Sequence, residues 1–211
     1  DLFHPVAARA GTVSFLVFIA FIAFNGFVTP YAESLGLEQA RWVLLTYSVT
    51  TLLVRALGGR LIDRVDRRLL GTAAHLLVVA GLLAMVVFDA AWALYVGGAV
   101  MASGLAFNVP LMIVVAAESA TPAARSRVVA TVIVFGDLAN SLGAFVLGFV
   151  ADGVGYRGMY LVTAGAAMAA AGLLNSPFMG PVTGLQRGRD QDAVADAAGR
   201  SWRPTTEAPV R

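Results

Sequence analysis

The chain has 211 residues, of which 58% are hydrophobic and only 13% are charged, and its formal net charge is +2. These values exclude an ordinary soluble domain and assign the chain to a lipid bilayer. The absence of cysteine excludes disulfides and thiolate catalysis, and two histidines, His4 and His75, are too few for a histidine metal site.

Six apolar stretches are each long enough to cross a bilayer as a helix, which requires roughly 20 residues. They cover residues 11–29, 42–59, 69–88, 90–117, 128–151 and 158–178. Only Arg55 in the second and Asp137 in the fifth interrupt them with a charge. Stretches of this length favour helices over the short alternating strands of a membrane barrel. The sequence therefore predicts an all-α membrane protein with six transmembrane helices.

The six predicted helices define three regions of the chain. Residues 1–10 form a stub, residues 11–178 form the transmembrane domain, and residues 179–211 form a tail with few large apolar side chains. A tail of this composition cannot bury enough surface to order itself, so we expect it to be disordered.

The arginines predict how the chain is oriented. Twelve of them lie in the stub, the second and fourth connections and the tail, whereas only Arg41 and Arg157 lie near the opposite connections. Cytoplasmic segments of membrane proteins carry an excess of basic residues. We therefore expect both termini in the cytoplasm.

Two stretches of the chain repeat a short pattern. Gly59-x-x-x-Asp63-x-Val65 superposes on Gly148-x-x-x-Asp152-x-Val154, so the end of the second helix is similar to the end of the fifth. Three helices would then repeat as three helices that enter the membrane from the opposite side. Such 3+3 inverted repeats are typical of secondary transporters.

The loop after the second helix carries the resemblance to a known family. The major facilitator superfamily (MFS) has the signature Gly-x-x-x-Asp-Arg-x-Gly-Arg-Arg at this place, and the chain matches it with Gly59, Asp63, Arg64, Arg67 and Arg68. Asp66 stands where the family usually has glycine. Residues 9–178 thus resemble the C-terminal six-helix half of an MFS transporter of the efflux type.

The resemblance implies transport of a small organic solute or drug by alternating access in a bacterial plasma (inner) membrane, with proton-coupled antiport. It also implies a partner, which is either an N-terminal half or a second copy of this chain. The start at Asp1 favours a fragment of a longer protein. Neither substrate, direction nor coupling ion can be deduced from this half. No enzyme motif, cofactor site or nucleic-acid surface is predicted, and a non-transporting six-helix scaffold or regulatory partner remains the alternative.

Two groups of charged residues have candidate roles. In the resembled fold Asp63 caps a helix of the other half and biases the transport movement, with a solvated loop charge as the alternative. The arginines of the motif loop, Arg64, Arg67 and Arg68, are expected to set topology and contact anionic lipids. Asp137, near mid-membrane, could carry protons, or it could be a structural partner of Arg55 or of a helix in the missing half. Arg55 could instead extend to the cytoplasm.

Two asparagines are candidates for the substrate cavity. Asn25 lies on the first helix, and Asn108 precedes Pro110 on the fourth. In the resembled fold these helices line the substrate path. An interhelical hydrogen bond is the alternative role for either side chain, and His75 is expected to be a satisfied interior histidine.

Overall fold

The structure, a computed structural model, describes residues 5–59, 65–118, 120–121 and 123–179. In this part of the chain there are five α-helices: α1 (Pro5–Ser34), α2 (Arg41–Gly58), α3 (Arg67–Phe88), α4 (Ala91–Glu118) and α5 (Arg125–Asn175). A short 3-10 helix, Pro177–Met179, follows α5. The predictions for the tail from residue 180 onward and for Asp63 and Arg64 lie outside the described residues.

Four of the described helices are long and apolar enough to cross a bilayer. These candidate spans are Ala8–Ser34, Arg67–Phe88, Ala91–Ala117 and Arg125–Asn175. Helix α2 forms where the second transmembrane helix was predicted, but it is not among them. Its two arginines and five hydroxyl-bearing side chains lower its hydropathy.

The predicted fifth and sixth helices form one 51-residue element, α5, instead of two separate helices. Within it, Gly155 has φ 73° and ψ 172°, which is not helical. Only glycine adopts this conformation readily, because any Cβ would clash with the backbone. The polar connection predicted over residues 152–157 is therefore reduced to a single residue between the helical segments 125–154 and 156–175.

The first segment of α5 runs in the same direction as α1. A Cβ built on Gly11 would meet the ring of Phe135, and one built on Gly143 would meet Ile22 at 2.9 Å. Residues later in α1 therefore contact residues later in the first segment of α5, so the two helices are parallel. Small residues on the facing surfaces allow this close packing.

The second segment of α5 returns along α1 in the opposite direction. The Tyr156 ring lies 6.0 Å from that of Tyr31, near the end of α1, and the Tyr160 hydroxyl donates to the Ala23 carbonyl at 3.3 Å. The chain therefore reverses direction at Gly155, and the sharp turn that separates the predicted fifth and sixth helices is built from one residue.

Helices α3 and α4 pack with their backbones in close contact. A Cβ built on Gly104 would overlap the Ala74 carbonyl oxygen, and one built on Gly81 would overlap the Gly97 carbonyl oxygen. The pairs 74–104 and 81–97 advance in opposite directions, so the two helices are antiparallel. Because lipid does not drive helices together, such backbone contact supplies the packing that holds them.

We predict that Gly104→Ala lowers the Tm of the detergent-solubilised chain by several degrees. The added methyl group overlaps the Ala74 carbonyl, and overpacking of this kind costs about 1–3 kcal/mol. Gly165→Ala is the matched control, because nothing lies within 4 Å of a Cβ there. It should keep or slightly raise the Tm, since alanine favours a helix over glycine by about 1 kcal/mol. Equal Tm values for both variants would contradict the contact.

Candidate functional site

The described part of the motif loop shows how α3 begins. Asp66 is the N-cap residue of α3, and its carboxylate accepts a hydrogen bond from the Leu69 amide at 3.0 Å. Aspartate is among the best N-cap residues, because its side chain satisfies an amide that has no partner within the helix. The departure from the family's glycine at this position therefore provides a helix cap. Arg67 and Arg68 follow it in the first turn of α3.

Gly59 ends α2 in an ordinary helical conformation, with φ −53° and ψ −38°. A Cβ at this position would meet only the Arg55 carbonyl oxygen, at an unstrained 3.5 Å. Among the described residues, no other helix approaches Gly59 closely.

Asn108 faces α3. Its Oδ1 lies 3.3 Å from Nε2 of His75, and both side chains are buried. The interhelical hydrogen bond that was the alternative for Asn108 is thus the one observed. His75 is satisfied at only one ring nitrogen, since Nδ1 has no partner among the described residues.

Asn25 lies on the exposed side of α1, and its amide donates to the Phe21 carbonyl of its own helix at 3.0 Å. This bond leaves the carbonyl oxygen of the side chain available to another group. Its placement in a substrate path stays a prediction.

Arg55 and Asp137 do not form an ion pair with each other in the structure. Arg55 lies on α2, which packs against α4, whereas Asp137 lies on the first segment of α5, which packs against α1. Both side chains are exposed on the surface of the bundle. Arg55 instead borders a cavity of about 400 Å³ between α2 and α4, beside Phe107 and Pro110.

A charged network at the opposite end of the bundle was not predicted. Arg157 donates to the Asp89 carboxylate at 2.9 Å and to the Val86 carbonyl, also at 2.9 Å. The Tyr31 hydroxyl donates to the same carboxylate at 3.2 Å. The network therefore joins the ends of α1 and α3 to the residues just after the turn at Gly155.

Asp89 has a second role in this network. It is the C-cap of α3 and has a left-handed conformation, with φ 42° and ψ 44°. Aspartate and asparagine tolerate this conformation better than other residues with a Cβ. Arg157 meanwhile satisfies a carbonyl that the end of α3 leaves without a helical partner. Asp89 lies between the third and fourth apolar stretches, and Arg157 lies between the fifth and sixth. Both connections fall on the same side of a six-helix membrane domain, and this was the available signal for their pairing.

We predict that Arg157→Gln and Asp89→Asn each lower the Tm of the chain, and that the double variant is little worse than either single one. Asparagine keeps the left-handed preference, so Asp89→Asn tests the charge alone. Because both side chains are about half exposed, we expect about 1 kcal/mol for the pair. Arg41→Gln, at the start of α2, is the control. Additive effects in the double-mutant cycle would contradict a direct interaction.

The comparisons with known proteins agree with this architecture. The model of the Major Facilitator Superfamily matches residues 10–208. No curated protein matches the chain. Because the match covers nearly the whole sequence and the apolar helices of the structure fit a membrane transporter, the chain belongs to the Major Facilitator Superfamily.

Proposed function

We propose that this chain is the C-terminal half of an MFS secondary transporter, with six membrane crossings arranged as a 3+3 inverted repeat. It would export a small organic solute or drug by alternating access, in antiport with protons. The two helical segments of α5 would be the fifth and sixth crossings. Both termini would lie on the cytoplasmic side of a bacterial inner membrane.

The packing of the helices supports the repeat. In a 3+3 inverted repeat, α1 corresponds to α4, α2 to the first segment of α5, and α3 to the second segment. The contact of α1 with the first segment of α5 should therefore have a counterpart in the contact of α4 with α2. The contact of α1 with the second segment of α5 should likewise have a counterpart in the contact of α4 with α3. All four contacts occur.

The observation that carries the transport proposal is the presence of Ser48 and Arg55 on an exposed face of α2 that is otherwise mostly apolar. This helix is 18 residues long, about 27 Å. Together with the residues at its two ends, it can cross a hydrocarbon core of about 30 Å. It nevertheless exposes Ser48 and Arg55. Polar and charged side chains within a membrane usually face a bundle interior or a water-filled cavity.

The first segment of α5, the counterpart of α2 in the repeat, has the same property. It exposes Asp137 and Ser141 beside apolar residues such as Phe145. In the alternating-access mechanism we propose, the two faces line the path of the substrate together with a partner. That partner is an N-terminal half or a second copy of this chain.

Asp137 and the motif loop would then have different roles. Asp137 would bind and release the coupling proton, because an ionised carboxylate in the membrane costs at least about 2.5 kcal/mol on insertion scales. Asp63 would cap a helix of the partner and favour one state of the transport cycle. The three arginines of the loop, Arg64, Arg67 and Arg68, would hold it at the anionic lipid surface.

We predict that Asp137→Asn abolishes the pH dependence of transport, and that Asp63→Asn changes the transport rate while leaving the pH dependence. The measurement uses the protein expressed from its own gene, so that any partner is present. Ethidium and fluorescein serve as cationic and anionic probes in everted membrane vesicles with an imposed pH gradient. Glu38→Gln removes a carboxylate from the connection between α1 and α2 and is the control. Unchanged transport and pH dependence in both aspartate variants would exclude the proposed mechanism.

A further inference from the structure

The cavity between α2 and α4 has the size and lining of a ligand site. Its volume of about 400 Å³ lies within the range of roughly 300–1,000 Å³ that is usual for small-molecule pockets. Phe107, Val109, Pro110 and Ile113 of α4 form most of its wall. These side chains are half-buried, whereas Asn108 between them points to α3. The wall is therefore apolar.

Arg55 is the one charged residue among the described residues that line this cavity. It is exposed, and no carboxylate of the described chain lies within ion-pair distance of it. By contrast, Arg41 at the other end of α2 donates to Gln39 and lies over the Trp42 ring. An arginine remains charged in any environment, so Arg55 presents a cation to the cavity.

A cation beside an apolar wall selects a particular ligand. The guanidinium group forms paired hydrogen bonds with carboxylates and phosphates, and the wall offers only dispersion and hydrophobic contact. Arg55 lies four residues before Gly59, roughly 6 Å from the end of α2. An anionic group could therefore bind near the membrane surface while an attached hydrocarbon part extends along α4.

We propose that this cavity binds an anionic amphiphile, with its carboxylate or phosphate against Arg55 and its hydrocarbon part against Phe107, Pro110 and Ile113. A fatty carboxylate and an anionic phospholipid share this chemistry. The site shares Arg55 with the α2 face that we propose lines the substrate path, but its described lining belongs to one chain, so binding can be measured without a partner half.

The test measures binding of radiolabelled decanoate to the 211-residue chain in phosphatidylcholine nanodiscs, with empty nanodiscs as background. Unlabelled 1-decanol and decylamine are neutral and cationic competitors of the same length, and neither should displace decanoate efficiently. Arg55→Gln should weaken decanoate binding by about tenfold or more, because it removes charge-assisted hydrogen bonds. Arg55→Lys should recover part of the loss, and Arg41→Gln should bind like the parent chain.

A second variant tests the cavity separately from the charge. Ile113→Trp fills the space and keeps Arg55, so it should also weaken decanoate binding. Each variant must elute as one species with unchanged helical circular dichroism. The proposal is overturned if Arg55→Gln or Ile113→Trp binds decanoate like the parent chain, or if 1-decanol displaces it as well as unlabelled decanoate.

Nanodiscs that contain phosphatidylglycerol distinguish the two sources of the ligand. If this lipid displaces decanoate, the site binds a membrane lipid. If decanoate binding is unchanged, the site binds a free carboxylate. The binding and transport results can be told apart. If decanoate binds as expected while Asp137→Asn and Asp63→Asn both leave transport and its pH dependence unchanged, the proposed transport mechanism is excluded and the site stands.

Discussion

The architecture depends on one constraint of the bilayer, which is that lipid satisfies no backbone hydrogen bonds and does not drive helices together. The first part of this constraint requires helices, and the second requires that their backbones pack closely. The chain meets the second requirement where Gly104 lies against the Ala74 carbonyl of α3 and where Gly143 lies against Ile22 of α1. Residues with larger side chains at these places would separate the helices and remove this close packing.

Much of this fold could be predicted from the sequence, because a bilayer requires long apolar stretches and these stretches are visible without any structure. The turn between the last two predicted helices could not. Residues 152–157 were predicted as a loop, yet the single glycine Gly155 makes the turn and the others remain helical. A hydropathy pattern shows which residues are polar enough to lie outside the hydrocarbon core. It does not show how many of them form the turn, which here depends on the backbone conformation of Gly155.

The candidate site was predictable only in part. The sequence identified Arg55 and Asp137 as charges within apolar stretches, and the structure exposes both on the bundle surface. The sequence did not identify which neighbouring helix Asn108 faces. Helix α4 is almost uniformly apolar, so it has no amphipathic pattern that distinguishes its faces. The pairing of Arg157 with Asp89 was also missed, since residues 68 positions apart in the chain meet only after the helices pack.

The most direct measurement is labelling of single introduced cysteines by a membrane-impermeant maleimide in intact cells. The chain contains no cysteine of its own, so only the introduced residue in this chain can react. Gly153 lies beside the turn with open space around it, and Met168 is an exposed apolar residue on the second segment of α5, more than three turns after Gly155. If α5 crosses the membrane, turns at Gly155 and returns, Gly153→Cys is labelled from outside the cell and Met168→Cys is not. Labelling of both positions, or protection of Gly153→Cys until the cells are lysed, would contradict the account.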